Sequence, residues 1–286
     1  NSCWMGGGVN SKHLDSPLSD DEKKVLPARY WRTHAKSGWA EDFLIVMRSL
    51  AEKKPKTLSI ENFYQEFFGV MRNFVQEKIR LLSIELAARL RRPSGILSFG
   101  DCFLPQAVLR AESSAAGGSK YHFDFQSFYA FGSTVDCFIV VDQLVFIDKS
   151  LSLHRLLEAV DANFVGYEQE LALCRSVEKY GSNSAHSNAH AKRVAATAAA
   201  IIAEENKQYI ARDRLFLTAN LQSDTWHIKH GEICGATPDG RLKGKAFSHC
   251  SRPSAGSCTN SLTGMLGAML HLPFDRYMSG ALNLDV

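Results

Sequence analysis

No stretch of this 286-residue sequence approaches the roughly 20 consecutive apolar residues needed to cross a bilayer, and no charged start precedes a short apolar core. A membrane-spanning helix and a secretory leader are therefore not expected, and a cytoplasmic location is. There is no Cys-x-x-Cys. The seven cysteines are odd in number and irregularly spaced, as reduced thiols are, which argues against a disulfide framework and against iron–sulfur or structural zinc binding by cysteine pairs. Charge of one sign is not in excess either. Lys and Arg number 33 against 30 Asp and Glu, a net charge of +3 with the basic residues scattered, so neither nucleic acid nor a membrane surface is an expected partner. Internal repeats, low-complexity tracts and flexible linkers are missing as well.

What is present is the composition of a packed domain. Apolar residues make up 45%, and a chain of this length buries about 75% of its unfolded surface when it closes on itself. From Ser59 as N-cap, with Glu61 in the first turn, the apolar positions Phe63, Phe67, Val70, Phe74, Leu82 and Leu86 predict a helix that runs until Pro93. Arg89, Arg91 and Arg92 suit its C-terminus, where the last carbonyls carry partial negative charge. Ile96 to Ser98 reads as a short buried strand, and Leu14 to Arg32, with Pro17 and Pro27, as a loop. Residues 134–148 and 153–178 read as helices separated by a capping region at Ser150 to Ser152. Another runs from about Ala185 to Ile210, with an Ala-rich centre that favours helix and close packing. A strand begins at Ala281. Helices with short apolar strands between them point to an α/β layer architecture.

The densest local signal is Gly235-Ala236-Thr237-Pro238-Asp239-Gly240-Arg241-Leu242-Lys243-Gly244, preceded by His227 and Gly231. Pro238-Asp239-Gly240 is a tight turn, because Pro presets the first central φ, Asp caps locally and Gly accepts a positive φ. The same string resembles the GATPDGR segment of the glycyl radical enzymes, the pyruvate formate-lyase-like family. Other pieces stand in the family's order: Gly117-Gly118-Ser119-Lys120-Tyr121, Asp136, Leu144-Val145-Phe146, Asn163-Phe164-Val165-Gly166-Tyr167-Glu168, Lys179-Tyr180-Gly181, Pro253-Ser254-Ala255-Gly256 and Thr263. At the start, Asn1-Ser2-Cys3-Trp4-Met5-Gly6-Gly7-Gly8 looks like the family's cysteine loop.

The resemblance implies a helix-rich α/β fold, half of a ten-stranded α/β barrel, with residues 1–286 forming its second half from the cysteine loop onward. The family's glycine loop of the type Arg-Val-x-Gly-Tyr does not occur, so the chain is expected to be a fragment without the glycyl radical domain, inactive by itself. Cys3 is the implied catalytic residue, carrying a thiyl radical in a radical lyase that cleaves a C–C, C–O or C–N bond of a small organic substrate. No cofactor is expected to bind this chain directly. The glycyl radical would come from the missing domain, installed by an activating enzyme that uses S-adenosylmethionine and an iron–sulfur cluster. That enzyme and the substrate are the implied partners, and a homodimer is the family expectation.

Several positions depart from the family. Ser2 replaces the second cysteine of pyruvate formate-lyases proper, which disfavours thiolytic acyl transfer. Met5 stands where many members have a Glu general base, and Asp15 is the nearest substitute. Ser182, Asn183, Ser184 and Asn188 follow Lys179-Tyr180-Gly181 where acids are usual, and Ala268 and His271 replace a Ser and a Lys. A non-catalytic or decayed scaffold subunit of the same fold is thus the alternative. Asp239 and Arg241 are expected to hold their turn by hydrogen bonds and a salt link, and His227 is either a core histidine or a group near the barrel interior. His186 and His190, at i,i+4 on a helix, share a face and offer two imidazoles to a metal. Without a Glu after His186 or a recognisable third ligand, no metal is expected.

Overall fold

The computed structural model describes residues 39–53, 57–90, 99–114, 118, 122–127, 130–213, 215–221, 226–256, 262–273 and 278–279. Its nine α-helices within those residues are α1 (Trp39–Lys53), α2 (Ile60–Leu90), α3 (Pro105–Arg110), α4 (Phe131–Val141), α5 (Leu153–Asp161), α6 (Glu168–Ser176), α7 (Ala185–Asp213), α8 (Trp226–Ile233) and α9 (Leu262–Leu270). Three strands accompany them, β1 (His122–Ser127), β2 (Leu215–Asn220) and β3 (Met278–Ser279). The chain divides into two compact units. The first comprises Asn1–His34, Arg72–Gln126 and Ala200–Thr218; the second comprises Ala35–Met71, Ser127–Ala199 and Ala219–Val286. The expected loop at Leu14 to Arg32 and the strands at Ile96 and Ala281 lie outside the described residues.

In the first unit, β1 is hydrogen-bonded to β2. Val75 and Ile79 of α2 are buried there, and Arg72 bridges to Glu204 and Glu205 of α7 at 2.8 and 3.1 Å. A 3-10 turn at Phe99–Phe103 leads into α3, and the Asp101 carboxylate accepts from the Ser114 backbone N–H at 2.9 Å.

The second unit has an aromatic core centred on Phe138 of α4. Tyr64 stacks on its ring at 4.4 Å between centroids, while Phe43 and Phe67 meet it edge-on at 4.8 and 5.2 Å. Every residue of α4 is buried, and α1 packs against both α4 and α5. The C-terminal end of β2 pairs in parallel with β3, Ala219 opposite Met278.

Helix α2 begins where Ser59 places it. Asn62, at the third helical position, accepts from both the Ser59 backbone N–H (2.9 Å) and the Ser59 hydroxyl (3.0 Å), the reciprocal arm of a capping box. Its buried stripe within the second unit is Phe63, Tyr64, Phe67 and Met71; Val70 and Phe74 are only half-buried. Ser152 caps α5 as expected, accepting from the Arg155 N–H at 3.1 Å.

The predicted 153–178 helix is two helices. Asn163 and Phe164 take left-handed angles (φ 52° and 58°) and Gly166 has φ 77°, which ends α5 and starts α6 at Glu168. The helix expected at 134–148 starts at Phe131 and changes at Asp142 to π geometry through Ile147, with the Asp148 N–H donating to the Gln143 carbonyl at 2.8 Å.

Candidate functional site

Several of the segments singled out in the sequence, those around Asp136, Asn163, Lys179, Pro238 and Ser254, meet in the second unit. In the Pro238 turn, the Gly240 N–H donates to the Thr237 carbonyl at 3.0 Å and Gly240 adopts φ +87°. The Thr237 hydroxyl donates to Asp239 at 2.5 Å. The local hydrogen bonds expected of Asp239 and Arg241 form; the salt link does not. The Arg241 guanidinium instead donates to the carbonyls of Lys245 (2.6 Å), Leu242 (3.2 Å), Gly231 (3.4 Å) and Gly235, and lies 3.9 Å over the Phe247 ring. One planar fork thus serves four carbonyls, of which Gly231 and Leu242 also accept from the backbone N–H groups of Gly244 and Lys245.

Asp136 of α4 gathers the other elements. Its fully buried carboxylate accepts from the Tyr180 backbone N–H at 2.9 Å and from the Ser254 hydroxyl at 2.7 Å. The Tyr180 hydroxyl donates to the Ser251 carbonyl at 3.1 Å, and the Lys179 ammonium donates to the Cys174 carbonyl at 2.7 Å, closing the end of α6. Ser133 and Ser248 exchange two hydrogen bonds, each backbone N–H to the other's hydroxyl, at 3.0 and 2.9 Å. Asn163 accepts from the Lys243 N–H at 2.8 Å, tying the break between α5 and α6 to the Pro238 loop. Burial, reinforced by the Asp239 carboxylate, pushes Asp136 up to about 7, so it exchanges a proton near neutrality.

A cavity of about 700 Å³ opens beside this layer, lined among others by Ser133, Arg175, Lys179, Asp239, Arg241 and Ser254. Ser254 connects the two: its hydroxyl reaches Asp136, and it lines the cavity together with Asp239. The arrangement can hold a proton at Asp136 beside a cavity walled by polar residues.

The structure also brings His186 and His190 together, at 4.7 Å between ring centroids. It adds a third group that the sequence did not reveal, Asp142, the first residue of the π segment. Asp142 Oδ2 lies 3.1 Å from His190 Nε2 and 3.9 Å from His186 Nε2. Tyr64, also unforeseen, has its hydroxyl 2.5 Å from His190 Nδ1. Nothing in the local spacing of residues 64, 142, 186 and 190 signals this meeting, since it depends on three separate segments packing together.

His227 sits in α8, its ring stacked on His249 at 4.3 Å and its carbonyl accepting from the Phe247 N–H at 3.1 Å. Ser182, Ser184 and Ser187 bond to one another, with Ser187 Oγ 3.1 and 3.0 Å from the other two hydroxyls, and Asn188 donates to Asn183 at 2.8 Å. Ala268 is buried in α9, with His271 just beyond the helix. Ser2, Cys3, Met5 and Asp15 lie outside the described residues.

Comparison with known proteins gives the lineage. Residues 40–225, well over half of the chain, match the family described as pyruvate formate lyase-like. The chain belongs to that family. It is 30% identical over 181 residues to isethionate sulfite-lyase of Desulfovibrio desulfuricans, a match covering 63% of this chain and 21% of that protein. It is 29% identical over 159 residues to trans-4-hydroxy-L-proline dehydratase of Clostridioides difficile, covering 52% of this chain and 19% of the relative. The chain thus spans about a fifth of the length of these curated relatives. In three dimensions it is similar to the B12-independent glycerol dehydratase of Clostridium butyricum, with a TM-score of 0.70 at 20% identity, over 82% of this chain and 30% of that one. That likeness establishes a shared fold. Among the described residues, no helix is long and apolar enough to cross a membrane.

Proposed function

We propose that this chain is the second-half barrel segment, residues 1–286, of a radical lyase that removes a leaving group from a small organic substrate, with Cys3 carrying the thiyl radical. The observation that carries the reading is the convergence of the family segments around Asp136 and Asp239 beside the cavity, in a chain of the pyruvate formate lyase-like family. The names of its relatives, a sulfite-lyase and dehydratases, describe eliminations. When present, the radical supplies reversible hydrogen abstraction from the substrate, one hydrogen moving to sulfur and later returning to carbon. It would be generated on a glycine outside this chain by an S-adenosylmethionine-dependent activating enzyme, in a cytoplasmic and dimeric protein. This chain's own residues would bind and orient the substrate and hold the barrel wall in place.

Exposed apolar side chains in the first unit support the half-barrel reading: Phe99, Phe103, Val108 and Leu109 are each more than half exposed within eleven residues. Further protein covering them accounts for this better than solvent does.

The test is replacement of Cys3 by Ala in the complete protein. The variant should retain the glycyl EPR doublet after activation and lose substrate turnover. Turnover that survives the substitution rules out Cys3 as the radical carrier. One observation favours the scaffold alternative: at the positions where acids are usual in the family, Ser182 and Ser184 are neutral and bond to the Ser187 hydroxyl, and Asn183 and Asn188 bond to each other. A complete protein that neither accepts the radical nor turns over any substrate would establish that reading.

A further inference from the structure

We propose that Asp142, His186 and His190 form a binding site for one divalent transition-metal ion of the zinc class, where α7 packs against the π segment and apart from the Asp136 layer. The proposal is independent of the radical reading.

Three side chains with metal-ligating atoms converge there. Asp142 Oδ2, His186 Nε2 and His190 Nε2 offer donors that all lie within 4.8 Å of one another, the two contacts to Asp142 being 3.1 and 3.9 Å. Donors sharing a zinc ion at about 2.0–2.2 Å in tetrahedral geometry stand about 3.3 Å apart. Closing the set therefore shortens the donor separations by up to about 1.5 Å. His186 and His190 are one helical turn apart, so α7 fixes both imidazoles on one face. Asp142 is delivered by the end of α4, as the first residue of the π segment that continues it.

A second observation points to a ligand. His186 Nε2 is shut off from solvent and has no hydrogen-bond partner, although its side chain as a whole is 39% exposed. A buried ring nitrogen without a partner carries an uncompensated desolvation cost, and an ion placed between it and Asp142 would satisfy both groups. The surroundings already supply the support a metal-bound histidine needs. His190 Nδ1 faces the Tyr64 hydroxyl at 2.5 Å, so that with Nε2 on a metal the ring can donate its remaining N–H to the phenol oxygen. Tyr64 is itself held, stacked on Phe138 and capped by the Arg193 guanidinium 3.7 Å above its ring, which Glu61 anchors at 2.6 Å. Two imidazoles and one carboxylate suit Zn²⁺ and its neighbours rather than Mg²⁺ or Ca²⁺, which prefer all-oxygen shells.

The experiment is titration of the metal-stripped full chain with Zn²⁺ by calorimetry and with Co²⁺ by visible absorption. One equivalent should bind, with Co²⁺ d–d bands indicating mixed nitrogen and oxygen ligation. His186→Gln and Asp142→Asn should each weaken binding at least about tenfold, and Tyr64→Phe, which removes only the support of His190, should weaken it about 10-fold without abolishing the Co²⁺ spectrum. Because His186 is partly exposed, its replacement leaves the fold intact, as circular dichroism will verify; should a variant unfold, a Zn²⁺-dependent rise of the wild-type melting temperature is the independent reading. Absence of stoichiometric binding by the wild type overturns the proposal. So does binding that His186→Gln and Asp142→Asn leave unchanged, which would place the ion elsewhere.

Discussion

The Tyr180 backbone N–H donates to the Asp136 carboxylate at 2.9 Å across 44 residues of sequence, and this single bond joins α4 to the segment between α6 and α7. The same carboxylate receives the Ser254 hydroxyl. Because Asp136 lies fully buried beside Asp239, these two donors stabilise a charge that burial opposes, and burial wins: the group is pushed up to about 7.

Asp136 should therefore make stability fall as pH rises. An acid whose folded pKa lies above its unfolded value binds more protons folded than unfolded between the two, here from about 3.8 to about 7, and its cost is fully present above that window. Asp136→Asn keeps both contacts, the amide oxygen accepting from Tyr180 and the amide nitrogen donating to Ser254, while removing the ionisation. The variant should flatten the pH dependence of urea unfolding in this window and gain up to a few kcal/mol relative to the wild type at pH 8. An unchanged slope between pH 4 and 7 would show that Asp136 ionises as freely as an exposed carboxylate.

Arg241 should act as a structural residue of its loop. Its guanidinium serves the carbonyls of Gly231, Gly235, Leu242 and Lys245 and covers Phe247. Replacing it by Ala leaves the Gly235 and Lys245 carbonyls without this donor, strips the Gly231 and Leu242 carbonyls to their backbone partners, and should destabilise the chain by about 2–3 kcal/mol. Arg241→Lys should recover only a minor part, since an ammonium cannot span the fork. Chemical denaturation of the two variants checks both statements, and equal stability of the wild type and Arg241→Lys would contradict them.

Much of this organisation is legible in the sequence, and the exceptions have physical causes. Helices α2 and α7 follow from spacing and propensity, and the start of α2 from Ser59. The buried stripe of α2 slipped because adjacent rows of the helix are both apolar: Val70 and Phe74 compete with Met71 and Val75, and only packing chooses. The break between α5 and α6 was hidden because Phe164 at positive φ carries no propensity signal; the conformation is imposed by the loop contact from Asn163 to Lys243. Asp142 escaped notice because its 44-residue separation from His186 closes only when α7 folds back on α4. The family string, by contrast, was visible because turn chemistry is local.

Gly231 should tolerate no side chain. A Cβ there would stand 2.2 Å from the Lys245 carbonyl oxygen and 2.8 Å from Ala246 Cα, both backbone atoms that no rotamer change can move aside. Gly231→Ala should cost about 2–4 kcal/mol. Gly235, four residues on, has nothing within 4 Å of such a Cβ, so Gly235→Ala should change stability by no more than about 0.5 kcal/mol. Thermal melts of the pair measure the contrast directly.

Among the described cysteines, only Cys102 should react with a thiol reagent in the native state. It alone is exposed; Cys137, Cys174, Cys234 and Cys250 are buried. Burial pushes the Cys174 thiol up to about 12 and Cys234 to about 11, and raises Cys137 well above its ordinary range. The thiolate is the nucleophile, so inaccessibility and scarcity of the reactive form act in the same direction. Brief alkylation followed by peptide mass spectrometry should find Cys102 modified and the other four protected until denaturant is added. Fast labelling of Cys137 would mean that α4, and with it the Asp136 layer, is not packed in solution. Protection of all four instead means that the interior thiols of α4, α6 and the Pro238 loop region stay out of reach of reagents while the fold is intact.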